Sequence, residues 1–222
     1  RIRDFGIVPG RVKTGERNTI TDVPGIRVGH CTVKTEENHT GVTVIVPGPD
    51  NAFAKHYTAA AYIHNGFGKS AGVVQVEELG TLETPIALTN TLNVGKVLDA
   101  MVEIVIEQCR KDGIEPQSIN PVVGECNDCR INHIQKRAIG EKEVREAFAL
   151  ASEEFEEGDV GAGAGTTCYG MKGGIGSASR VITIGEKEYT IGVLVQSNFG
   201  ATKDFVLNGE AVGPKILEWK QE

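Results

Sequence analysis

Several signatures that would have named a function are missing from this sequence. No run of five lysines and arginines occurs, and the 23 basic residues are outnumbered by 30 acidic ones. A formal charge of −7 weighs against a nucleic-acid surface or an anionic membrane surface. No stretch approaches the roughly 18 consecutive apolar residues of a membrane span, and no signal-peptide pattern opens the chain. Aromatic residues make up only 5% of the chain, with a single tryptophan. The five cysteines (Cys31, Cys109, Cys126, Cys129 and Cys168) are odd in number and irregularly spaced, which excludes a disulfide framework and points to a reduced, cytoplasmic setting.

What is present is glycine, 28 residues in 222, on a background of aliphatic side chains. That combination predicts tight turns and close backbone approaches in a chain long enough for one large domain, here taken as residues 1–222. Residues 1–50 alternate β-branched and polar residues between glycine and proline breaks, as in TITDVPGIRVGHCTV and TGVTVIVPGPD, and read as short strands. YTAAAYIHN, residues 57–65, reads as another strand running into GFGKS. In NVGKVLDAMVEIVIEQCRKDG the apolar Val94, Val97, Leu98, Met101, Val102, Val105 and Ile106 recur at three and four, and Gly113 is the expected stop. In EKEVREAFALASEEFEEG, Val144, Ala147, Phe148, Ala151 and Phe155 form a stripe expected to run helically to Gly158. A hairpin of VITIG and YTIGVLVQ follows, with Gly192–Val195 expected to be buried. Strands, then two helices, then strands predict an α+β or layered sandwich and not a repeating βαβ array.

Several motifs fail on their own terms. GFGKS lacks the first glycine of a phosphate loop, because Ile63 stands where it is needed. Gly161, Gly163 and Gly165 follow an acidic helix instead of a strand, so a close approach of backbone explains them better than a dinucleotide. Cys126 and Cys129 with His133 offer three ligands where zinc wants four, so no metal is assigned. What remains is a set of polar residues on turns after apolar strands: Asn90; Glu125, Asn127 and Asp128; and Asn198. Carboxamides there can donate hydrogen bonds to a developing oxyanion, and a carboxylate can hold an ammonium, although each residue alone is more often a turn cap. Together they describe a site without a nucleophile.

The segments NTITDVPGIRVGH, TGVTVIVP, NGFGKSAGVVQVEELGTLETPIALTNTLNVG, NPVVGECND, GAGAGTTCYGMKGGIGSASR and GVLVQSNFG span residues 18–200 in one order. They resemble the L-aminopeptidase/D-amidase-esterase (DmpA-like) family, which includes the β-peptidyl aminopeptidases. The resemblance implies a precursor that cuts itself at a Gly-Ser bond into a larger α and a smaller β polypeptide. The Ser that then begins β is the nucleophile, and its own α-amine serves as base. The implied fold is a layered αββα sandwich, like the N-terminal-nucleophile hydrolases in architecture but different in connectivity. The scission point falls just past Glu222, so the chain reads as the α polypeptide, its nucleophile on a separate β polypeptide from the same precursor.

Carried over residue by residue, the resemblance makes Asn198 the oxyanion-stabilising residue and places Glu125, with Asn127 beside it, near the substrate amine. Where the family continues ETNDGYLND this chain reads ECNDCRINH, so Arg130 stands in place of a site tyrosine. The implied activity is removal of amino-terminal residues from small peptides, amides or esters through an acyl-enzyme, with no metal or organic cofactor, by homo-oligomers of αβ units. Ser197 is a poorer nucleophile, since strand alternation turns it away from Asn198. Two alternatives stay open: an acyltransferase of the ornithine-acetyltransferase type, and an inactive binding or scaffold homologue.

Overall fold

The first ordered pair of strands comes from the alternating segments of the amino-terminal quarter. β1 (Arg27–Lys34) and β2 (His39–Val46) pair antiparallel along their whole length. In the computed structural model, which describes residues 1–220, β2 continues antiparallel onto β3 (Ile86–Asn90), and β3 lies parallel to β4 (Val122–Cys126). The parallel pair needs a crossover. It is supplied by helix α2 (Val94–Lys111), the second helix after α1 (Val73–Leu79). Among the described residues this β3–α2–β4 unit is the one place where the chain uses βαβ logic.

The two faces of the four-stranded sheet are covered by different things. Val42, Val44, Val46, Ala87 and Val123 pack against Val97, Ala100, Met101 and Ile104 of α2. Val144 and Ala147 of α3 (Glu141–Ala149) complete that core. On the other face, the Thr32 hydroxyl accepts a hydrogen bond from the Gly161 N–H and the Thr43 hydroxyl accepts one from Ala162. The turn 161–165 thus lies flat on the sheet. A Cβ on Gly163 would sit 2.4 Å from the Ile175 nitrogen, and one on Gly165 only 2.2 Å from the His39 oxygen. Close backbone approach is therefore what these glycines serve, as their sequence context predicts.

Beyond that turn lies the hairpin of β5 (Ile175–Ile184) and β6 (Lys187–Gln196), tightened at Gly185, whose φ is +64°. It follows the sequence expectation in position but not in burial. Tyr189, Ile191, Val193 and Val195 alternate along β6 and are each 44–48% exposed, because one face of this two-stranded sheet carries nothing among the described residues. The amino-terminal segment straps the hairpin through Asp22. Its carboxylate accepts from the Ser179 hydroxyl at 2.6 Å and from the Arg17 and Thr19 N–H groups.

Three other expectations are corrected. The buried face of α2 runs through Val94, Val97, Ala100, Met101, Ile104, Val105 and Cys109, so Leu98, Val102 and Ile106 sit at its margin and three further residues lie inside. α3 stops at Ala149 instead of near Gly158. The cause is non-local: Ser152 leaves the helix to exchange two backbone hydrogen bonds with Val28 on the edge of β1, at 2.9 and 3.1 Å. Phe155 consequently lies off the helix, its ring 5.9 Å from that of His30. Of residues 57–65, only Tyr57 and Thr58 form a strand. The architecture is α+β, and among the described residues no helix is long and apolar enough to cross a membrane.

Candidate active site

The end of β6 is fastened across the carboxyl ends of the parallel strands. The Gln196 side chain donates from Nε2 to the Thr89 oxygen on β3 at 3.2 Å and to the Ala162 oxygen at 2.8 Å. The Cys126 thiol, at the end of β4, donates to the Gln196 carbonyl at 3.6 Å. Sequence reading passed over Gln196, because nothing local distinguishes a strand-end glutamine from a solvated one.

Just past this clamp the chain lays out Ser197, Asn198 and Phe199 in different directions. The Ser197 hydroxyl turns inward, accepting from the Gly174 N–H at 3.1 Å and donating to the Gly174 carbonyl at 3.2 Å. Its proton is committed to backbone, which disfavours it as a nucleophile. Asn198 turns the other way, onto a cleft of about 280 Å³ that is also lined by Asn127, Cys129, Arg130, Thr167 and Phe199. Its half-buried carboxamide takes no hydrogen bond from any described residue. The Phe199 ring stands edge-on to Tyr169 at 5.1 Å, and the Tyr169 N–H donates to the Phe199 oxygen at 2.8 Å. Gly200 must be glycine here: its φ is +80°, and a Cβ would lie 2.4 Å from the Tyr169 ring.

Three of the four sequence-derived site residues thus line one cleft: Asn198, Asn127 and Arg130. Asn127 doubles as a turn cap, its Oδ1 accepting from the Cys129 N–H at 3.0 Å, which leaves its amide hydrogens free for the cleft. Arg130 is exposed. Glu125 is the exception. Its carboxylate accepts from the Lys69 N–H at 3.0 Å and from the Thr91 hydroxyl, and it is not among the residues lining the Asn198 cleft. Asn90 is a buried cap of the turn before α2, its Oδ1 accepting from Asn93 at 3.2 Å.

The turn carrying Asn127 and Arg130 is held from below by Asp128, whose residue is 2% exposed. Asp128 Oδ2 accepts from the Thr40 hydroxyl at 2.6 Å, Oδ1 accepts from the Asn132 amide at 3.1 Å, and Asn90 donates to Thr40 at 2.9 Å. Burial raises the Asp128 carboxyl above the ordinary carboxylate range, against the opposing pull of those hydrogen bonds. Burial also pushes the Cys126 thiol up to about 11, with the Glu125 and Asp128 charges adding to it, so this sulfur stays protonated near neutrality. Among the described residues no group of three or more His, Cys, Asp or Glu side chains is placed to hold a metal. Gly68-Lys69-Ser70-Ala71-Gly72 has the spacing of a nucleophile elbow, which sequence reading overlooked. No strand leads into it, and the Ser70 hydroxyl takes no hydrogen bond from any described histidine.

Comparison with known proteins places the chain in a family. Residues 18–222 match peptidase family S58. The chain belongs to that family. Two curated relatives, beta-peptidyl aminopeptidases BapA of Sphingosinicella xenopeptidilytica and Sphingosinicella microcystinivorans, are each 37% identical over 97% of this S58 chain. The chain spans 56% of the length of each. A crystal structure of a Pyrococcus horikoshii OT3 protein superposes with a TM-score of 0.94 at 42% identity, covering 99% of this chain and 65% of that one. A Burkholderia sp. beta-aminopeptidase gives 0.91 at 39% identity, covering 98% and 62%. The Ochrobactrum anthropi L-aminopeptidase D-Ala-esterase/amidase, described as a new variant among the Ntn hydrolase fold, gives 0.90 at 32% identity, covering 97% and 62%. The S58 assignment agrees with the resemblance carried by the sequence motifs.

Proposed function

We propose that this S58 chain is the donor-bearing half of a serine aminopeptidase or amidase, whose nucleophile arrives on a second polypeptide of the same precursor. The observation that carries the reading is the Asn198 carboxamide: half-buried, facing a cleft, and without a hydrogen-bond partner inside the described fold. An unspent donor in such a place suits a charge that appears only during reaction. In the proposed step the partner's terminal Ser hydroxyl attacks the carbonyl of an amide or ester while its own α-amine takes the proton. The oxyanion accepts from Asn198 Nδ2, and the α-ammonium returns the proton to the amine or alcohol as its bond to the carbonyl carbon breaks. Water, giving a proton to the same α-amine, then attacks the acyl ester, and the Ser oxygen regains that proton as the acid is released. Glu125 uses one acceptor site on each oxygen for Lys69 and Thr91, which leaves carboxylate lone pairs for a substrate ammonium.

The aminopeptidase names of the relatives favour hydrolysis over transfer to an amine acceptor. The exposed apolar face of β6 favours a further polypeptide layer, and the chain's 56% share of its relatives' length leaves room for one. All five cysteines are free thiols, which suits a cytoplasmic setting. Oligomers of αβ units belong to the same reading.

The test uses the full precursor. Intact mass is expected to show two polypeptides, the second beginning with Ser. A second chain beginning with Thr would point to the acyltransferase, and an uncut product to a scaffold. Asn198→Ala is expected to lower kcat on an alanyl p-nitroanilide by about 10²–10³-fold, the usual effect of losing one oxyanion donor. Unchanged turnover would remove Asn198 from the reaction.

A further inference from the structure

We infer that Arg130 selects substrates bearing a free carboxylate, so that the preferred small peptides are acidic or end in an unblocked carboxyl group. This rests on the hydrolase reading above and adds the substrate class. The first ground is the charge of the cleft. Asn127, Arg130, Thr167, Asn198 and Phe199 face it, and Arg130 is the one charge among its lining residues, in a protein of net charge −7.

The second ground is that the neighbouring acids are turned elsewhere. Asp128, two residues back, points into the interior with both oxygens engaged by Thr40 and Asn132. Glu125 accepts from Thr91 and the Lys69 N–H, off the cleft lining. Three of the nine other arginines take acids: Arg145 binds Glu107 and Glu141, Arg1 binds Glu157, and Arg17 binds Glu153. Arg130 is exposed on the cleft wall and takes no such partner among the described residues.

A guanidinium presents a planar fork of N–H donors that matches the two oxygens of a carboxylate. Asn127, its Oδ1 spent on the Cys129 N–H, and the Thr167 hydroxyl add donors on the same wall, while Phe199 offers an apolar surface for the rest of the substrate. This lining is built from donors, and it would hold an anion better than an ammonium. The carboxylate has two possible sources, the main-chain terminus of a short peptide or an acidic side chain.

The experiment measures ratios of kcat/KM on the mature enzyme at low ionic strength. One arm compares a dipeptide with its carboxyl-terminal amide, and the other compares an aspartyl with an alanyl p-nitroanilide. We expect a preference of about tenfold or more for the free acid in at least one arm, carried mainly by KM and weakened by added salt. The arm that shows it identifies the source. In Arg130→Gln that ratio is expected to fall to within about twofold of one, and in Arg130→Lys to be partly retained, since a lysine keeps the charge without the fork. Wild-type enzyme that cleaves the alanyl substrate with no acid preference in either arm overturns the Arg130 assignment alone, as does a preference that survives Arg130→Gln. No cleavage of any substrate overturns the hydrolase reading and this inference with it.

Discussion

The Thr40 hydroxyl donates a 2.6 Å hydrogen bond to the Asp128 carboxylate inside the protein, joining the start of β2 to the turn that carries Asn127 and Arg130. Thr40 is 1% exposed and Asp128 2%, so water cannot replace either partner. The site turn is thus positioned by a buried polar contact between residues 88 apart in sequence.

Thr40→Val keeps the shape and removes both the donor to Asp128 and the acceptor for the Asn90 amide. We expect it to cost about 1–3 kcal/mol, because the carboxylate is left short of a partner it cannot find elsewhere. The cost should depend on pH. Burial raises the folded-state carboxyl above its unfolded value, so the folded state holds this proton longer than the unfolded one. Asp128's contribution to stability is therefore complete below the unfolded value and declines as pH rises through the folded one. Removing Thr40 raises the folded value further, so the loss in Tm relative to the parent should be larger at pH 7 than at pH 4. Equal losses at the two pH values would mean that Asp128 is neutral throughout and that the contact does not depend on its charge.

Gln196 makes the second positioning contact, two residues before Asn198. Its two bonds to backbone carbonyls are ordinary neutral hydrogen bonds, each worth about 0.5–1.5 kcal/mol, so Gln196→Ala should fold with only a modest fall in Tm. Catalysis is less forgiving, since a displacement of about 1 Å at a reacting group can cost on the order of 10²-fold. We expect Gln196→Ala to lower kcat about tenfold or more with KM little changed. The decisive measurement is the double variant: if Gln196 works through Asn198, then Gln196→Ala with Asn198→Ala should be no slower than Asn198→Ala alone. Fully additive losses would assign Gln196 an effect of its own.

How far the sequence disclosed this arrangement follows from the range of the interactions. α2 was legible because three-and-four spacing persists through Val94, Val97, Met101 and Val105, although the buried face is turned slightly toward Ala100 and Ile104. The end of α3 was not, because Ala151 and Phe155 continue its stripe and only the pairing of Ser152 with Val28 ends it. Asn198 and Asn127 could be singled out from a local feature, a carboxamide following an apolar strand. The direction of Glu125 could not, because it is fixed by Thr91 and Lys69 from other segments. Asp128 stood in the same short motif as Asn127, yet its anchoring role depends on Thr40, 88 residues away, which no spacing rule connects to it.

The hairpin gives the last prediction, because its sequence and its exposure disagree. Ile191, Val193 and Val195 have the alternation of a strand with one face toward a core, yet they lie 44–48% exposed. β-branched residues in a row on a solvent face are a liability that soluble sheets normally avoid. If a second polypeptide layer covers this face in the mature protein, a charge placed at Val193 costs little in the chain described here and several kcal/mol once the face is dry, because an unpaired buried carboxylate has nothing to replace its water. The Val193→Asp precursor should therefore give less soluble product and slower conversion into two polypeptides, followed by intact mass over time. Glu186→Lys, at the exposed tip of the same hairpin, should mature like the parent. If Val193→Asp matured at the parental rate with parental stability, the outer face of β6 would be solvent-facing in the finished enzyme, and the second polypeptide would have to dock elsewhere.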